Sequence, residues 1–110
     1  MDKTVKEHVL YAAIWYKDIP LKKEISGVLP KNCDRGLVVL GHRHGQCMWT
    51  MSSLTGLRTC TFGDDCSGEH EQGFLTNTNR FVDREEAAQI AFDSGQIDQH
   101  KITLYSEDLY

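Results

Sequence analysis

The sequence predicts an α+β fold, a small antiparallel sheet packed with two short helices, and three observations predict it. Apolar runs near residues 8–16 and 36–40 have strand composition, two later segments carry helical spacing, and a turn-rich stretch links them. A chain of 110 residues can build one hydrophobic core and is too short for two ordinary domains, so residues 1–110 are expected to form one domain.

Taken in order, residues 8–16, HVLYAAIWY, are rich in aromatic and branched side chains and end at a charged, Pro-containing segment, as a first strand should. Residues 17–34 contain Pro20, Gly27 and Pro30 and read as a loop, with room for a short edge strand near Ile25 to Leu29. Gly36-Leu37-Val38-Val39-Leu40 is a short buried strand bounded by glycines. Cys47, Met48, Met51 and Leu54 then recur at helical spacing, which predicts a helix from Gly45 to Leu54 stopped by Gly56.

Residues 59–72 are polar and glycine-rich and predict a loop. Phe74-Leu75-Thr76 and Arg80-Phe81-Val82 flank Asn77-Thr78-Asn79, a turn sequence because asparagine tolerates positive φ. Asp83 then offers an N-cap carboxylate, and Glu86 three residues on can reach back as a capping box. The second helix is expected from Arg84 to Ser94, with Ala87, Ala88, Ile90, Ala91 and Phe92 supplying its apolar face and Gly95 its stop. Lys101-Ile102-Thr103-Leu104-Tyr105 alternates as a last strand, followed by an acidic tail.

Composition narrows the function. Hydrophobic residues make up 40 % and charged residues 25 %, ordinary values for a folded domain. A formal charge of −4 argues against binding to duplex DNA or RNA or to anionic membranes, while leaving room for a local anion site. No stretch approaches the ~20 apolar residues of a spanning helix and the start has no secretory layout, so a cytoplasmic protein is expected. In that compartment Cys33, Cys47, Cys60 and Cys66 are expected as free thiols or metal ligands, not as a disulfide scaffold.

Three kinds of chemistry compete. Arg43, between His42 and His44, together with Arg80 and Arg84 beside a helix start, could bind an anion, because guanidinium groups fork onto phosphates and a helix start exposes amides. The plainer alternative pairs Arg84 with Glu85 and leaves Arg43 solvated. Phe74, Phe81, Trp15, Trp49 and the tyrosines could stack on a base, although such rings more often belong to a core.

His42, His44, Cys47, Cys60, Cys66 and His70 are soft ligands close in sequence, but no Cys-x2-Cys pair exists, and no metal or cofactor is expected. An enzyme would use His42 or His44 as base with Asp64, Asp65 or Glu69 orienting it. No Gly-x-Ser-x-Gly elbow, Walker loop or HExxH pair supports that reading, so the chain is expected not to be an enzyme.

Residues 11–14 (YAAI), 41–44 (GHRH), 71–76 (EQGFLT), 80–88 (RFVDREEAA), 95–97 (GQI) and 106–109 (SEDL) together resemble the first described family of phage Thoeris anti-defence proteins. The likeness spans most of residues 9–110 and is most specific in the second half. It implies a small α+β phage protein that forms dimers able to assemble into hexamers and sequesters cyclic ADP-ribose signals without cleaving them. It also implies kinship with members that trap cyclic oligonucleotides at a separate site.

By position, the resemblance makes the GFLT and RFVDREEA segments walls of a nucleotide pocket. Phe74 would stack on adenine, Thr76, Phe81 and Asp83 would line the pocket, Arg80 or Arg84 would meet phosphate, and Arg43 with His44 would add a second anion contact. The segment 17–34 is longer than the family turn, residues 60–70 depart from its pattern, and only His100 and Lys101 stand where further basic residues are expected after Gly-Gln-Ile. Two rivals remain: a hydrolase of the same messengers, and an inhibitor that engages a defence protein through its acidic surface.

Overall fold

A computed structural model of the chain describes residues 6–20 and 29–109. It contains β1 (Val9–Tyr16), β2 (Leu37–Gly41), α1 (His44–Thr55), β3 (His70–Thr76), β4 (Phe81–Asp83) and α2 (Arg84–Asp93), and closes with a 3-10 turn at Ser106–Asp108. The sheet is antiparallel throughout, in the order β2-β1-β3-β4. The α+β class and the antiparallel sheet agree with the sequence reading.

Alternation along the central strands divides the side chains between two faces. Ala12, Ile14 and Tyr16 of β1, Phe74 of β3, Val39 of β2 and Val82 of β4 share one face with Cys47 and Met51 of α1 and Ala87, Ala88 and Ala91 of α2. This is the main core, and each fully buried large side chain in it contributes ~1.5–3 kcal/mol through removal from water. Leu104, fully buried, seals it from the C-terminal side.

Ala13 and Phe81 lie on the opposite face with Cys33, and Trp15, Leu29 and Val38 pack against them. The described part of the long loop after β1 therefore has a structural task. Asn32 donates its side-chain amide to the Phe81 carbonyl and accepts from the Phe81 amide, at 2.6 and 2.8 Å, while the Lys31 amide donates to the Asn79 carbonyl at 2.9 Å. An outer strand left bare would expose such groups as a template for pairing with other chains. The edge strand expected near Ile25 to Leu29 falls, except for Leu29, outside the described residues.

Both helix ends follow local chemistry. Gly56 stops α1 with φ +76°, its amide donating to the Ser52 carbonyl at 2.8 Å, and Gly95 follows α2 with φ +82°. Asn79, at φ 63°, makes the turn between β3 and β4.

Four expectations need correction. Strand β3 begins at His70, not Phe74, because the polar residues 70–73 pair with Ala13–Tyr16 of β1. Residues 101–105 form no strand: the Leu104 amide donates at 2.9 Å to the carbonyl of Arg84, a helix residue, and the apolar alternation reduces to one anchor, Leu104, beside the exposed Ile102. Asp83 does cap α2, accepting from the Glu86 amide at 2.8 Å, but the Glu86 carboxylate turns to Arg80 at 2.9 Å instead of closing a capping box. Cys60 and Cys66 are joined in a disulfide, their Cα atoms 5.0 Å apart, while Cys33 and Cys47 are free and buried. Gly63 at φ +116° and the forked Arg58–Asp65 pair at 2.8 and 3.1 Å fold the exposed loop back so that the two thiols meet.

Candidate anion site

The first residues of α1 and α2 converge on one end of the main core. His44, in the first turn of α1, is buried, its ring edge against Phe74 with centroids 5.0 Å apart. Its Nε2 lies 2.7 Å from the Gly73 carbonyl and its Nδ1 lies 3.4 Å from Nη2 of Arg84, the first residue of α2. A guanidinium only donates, so the ring must be neutral, with its proton on Nε2 and a lone pair on Nδ1. Burial pushes the His44 pKa down, and the nearby Arg84 charge pushes the same way against the Gly73 bond.

Gly73 is required where it stands: a Cβ there would collide with the Val82 carbonyl and the Phe81 ring.

Arg84 is the unusual member. Its Nη2 donates to Gln72 Oε1 at 2.6 Å, its guanidinium carbon lies 4.9 Å from the centre of the Tyr105 ring, and its Nε is buried without a partner. Arg35, Arg43, Arg58 and Arg80 each face a carboxylate. Among the described residues Arg84 meets neutral groups only. A half-buried cation without an anion is destabilising unless something supplies the charge, and a phosphate or carboxylate of a ligand would do so.

Arg43, the residue before His44, lies 3.4 Å from Glu107 and donates its backbone amide to the Gln46 side-chain oxygen at 3.0 Å. Arg84 thus reaches His44, the neighbour of Arg43, and Asp83, exposed and engaged as a cap, directly precedes Arg84.

The other expected contacts fall elsewhere. Phe74 and Thr76 are 0 % and 1 % exposed and Phe81 is 5 % exposed, so in this chain their side chains belong to the interior; Phe81 packs on Trp15 across the sheet from His44. Arg80 forks onto Glu7 at 2.8 and 2.9 Å, and the same carboxylate accepts from Thr76 and Thr78 at 2.7 and 2.6 Å. With Glu86 on its other side, Arg80 is already neutralised. The Arg80 bonds and the two threonine hydroxyls hold the Glu7 carboxyl down to about 2, against desolvation.

Sequence reasoning missed Gln72 and Glu107. Gln72 carried a usable signal, a polar residue at the same strand parity as Phe74. Glu107 carried none, because it reads only as part of the acidic tail, and Tyr105, one of the tyrosines that could stack, was expected in a strand.

The soft-ligand set does not assemble. Cys60 and Cys66 bond each other, Cys47 donates to the Ala12 carbonyl in the core, and among the described residues no three His, Cys, Asp or Glu side chains converge on a metal position. A separate cleft of about 510 Å³ opens beside Gly95, Gln96, Ile97, Asp98, Gln99, Lys101 and Asp108. Its lysine pairs with Asp108 at 2.7 Å, and His100 turns to Gln89 and Phe92. Gln96, from the Gly-Gln-Ile segment, is structural, bonding both the amide and the carbonyl of Val9 at 2.7 Å. Among the described residues no helix is long and apolar enough to cross a membrane.

Residues 8–110 match the family described as phage T4 y16D protein. The chain belongs to that phage family. Neither a curated protein nor a solved structure matches it.

Proposed function

We propose that this member of the phage T4 y16D protein family binds a cyclic nucleotide immune messenger, a cyclic ADP-ribose isomer or a cyclic oligonucleotide, and sequesters it without cleavage. The observation that carries the reading is Arg84, a half-buried guanidinium with neutral partners and an unpartnered Nε. Phage membership is in keeping with a role against host defence, and the sequence resemblance supplies the class of ligand.

Both ring nitrogens of His44 are engaged, which favours holding a ligand over shuttling a proton. A sponge acts by mass action, so affinity and abundance suffice. Exposed Trp49, Leu54 and Ile102, at 76, 74 and 80 %, favour a homo-oligomer, a dimer or hexamer, in which a neighbouring subunit would complete the pocket. The proposed compartment is the host cytoplasm, and there the Arg58–Asp65 pair would help the Cys60–Cys66 disulfide keep the exposed loop folded.

Calorimetric titration with both messenger classes tests the reading, followed by heating and mass spectrometry of the released ligand. Intact ligand is expected. Degraded ligand would make the chain a hydrolase, and no binding to either class would remove the proposal.

A further inference from the structure

The residues after the cleft cross the arginine cluster as a strap fastened at both ends. Leu104 is buried and its amide bonds the Arg84 carbonyl at 2.9 Å, while Leu109 packs against the main core. Between them Asp108 accepts from the Tyr105 amide at 2.9 Å and from Lys101 at 2.7 Å, and Ser106, 2 % exposed, donates to the Glu107 carboxylate at 3.0 Å. Tyr105 lies over Arg84 and Glu107 reaches Arg43 at 3.4 Å.

The Glu107 side chain is 73 % exposed, in contrast to its anchored neighbours. It can swing outward by bond rotation alone while the strap stays in place. Its charge also acts on His44, the residue that links Arg43 to Arg84.

We infer that Glu107 is a built-in competitor for the ligand's anionic group, a carboxylate that holds the Arg43 side of the cluster until a multivalent phosphate displaces it. The inference rests on the reading of Arg84 as the phosphate contact. An exposed ion pair such as Arg43–Glu107 is weak, so a pyrophosphate-like group carrying several charges can displace it. A monoanion gains too little from the exchange. Glu107 thereby sets a threshold that a multivalent phosphate passes and a weakly held monoanion does not.

The test is an amide-shift titration of the full chain with pyrophosphate and, separately, with acetate, comparing wild type, Glu107→Gln, Arg84→Gln and the charge-matched control Asp93→Asn. Glutamine keeps the length of Glu107 and can still accept from Ser106, and slow exchange of the Leu104 amide verifies that the strap persists. Glu107→Gln should bind pyrophosphate about threefold tighter, the scale of one exposed ion pair. Acetate should bind both proteins far more weakly than pyrophosphate, with Asp93→Asn behaving as wild type. Equal affinity of Glu107→Gln and wild type, weaker binding by Glu107→Gln, or an equal gain in Asp93→Asn would each overturn the competitor while loss of binding in Arg84→Gln left the arginine reading standing. Unchanged binding in Arg84→Gln, or no binding by wild type and Glu107→Gln alike, would remove both.

Discussion

Arg80 and Arg84 lie four residues apart on either side of the Asp83 cap, and their surroundings are opposite. Arg80 sits between Glu7 and Glu86, with Thr76 and Thr78 completing the hydrogen bonds of Glu7. Its charge is cancelled inside the chain, and the network ties Glu7, two residues before β1, to the β3–β4 turn. Arg84 touches an amide oxygen, a neutral imidazole and an aromatic ring, with its Nε unsatisfied. One arginine is a clasp and the other is an incomplete pair. Proximity to a helix start therefore identifies an anion site poorly; the partners decide.

The largest expected effect lies beneath the Arg84 cluster. Phe74→Ala should destabilise the fold by about 3–5 kcal/mol through the cavity it leaves, read as a shift in the urea midpoint. Near-native stability combined with lost messenger binding would return Phe74 to the role of a stacking residue.

Glu7→Gln should cost about 2 kcal/mol, because one carboxylate holds a forked arginine and two hydroxyls, while messenger affinity stays as in wild type. The same network sets an acid limb. With the folded-state Glu7 lowered from 4.5 to about 2, its contribution is present above pH about 4.5 and fades as pH falls toward 2. Glu7→Gln should flatten that limb in urea titrations at successive pH values, and an unchanged limb would assign acid sensitivity to other carboxyls.

Arg84→Gln should behave the other way, weakening messenger binding at least tenfold, about 1.4 kcal/mol, with stability equal to wild type or higher. A large loss of stability with intact binding would make Arg84 a second clasp and erase the contrast with Arg80.

The smallest effects concern the residue between them. Asp83→Ala should cost about 1 kcal/mol for the lost cap, and Asp83→Asn a small fraction of that. Messenger affinity unchanged in Asp83→Asn would leave Asp83 purely structural; a marked drop would add a ligand contact to its capping role.

Much of the local architecture was legible in residue order. The alternation at residues 9–16, the spacing of Cys47 and Met51, the asparagine turn, the Asp83 cap and the glycine stops at 56 and 95 each depend on neighbours within a few positions. Errors arose where a distant partner prevailed. Residues 70–73 look like loop until β1 lies beside them, and residues 101–105 look like strand until Leu104 is seen bonding a helix carbonyl. Glu86 has a cap to complete by sequence, but in space Arg80 is the stronger partner because it is charged.

The candidate site shows the same division. By itself the sequence determined that arginines would stand near a capped helix start, with a small α+β domain to carry them. Only the tertiary structure decided which arginine is left without a carboxylate. Neutralisation depends on which carboxylates folding brings within a few ångströms, and Glu7, Glu86 and Glu107 reach Arg80 and Arg43 from elements that residue order does not align.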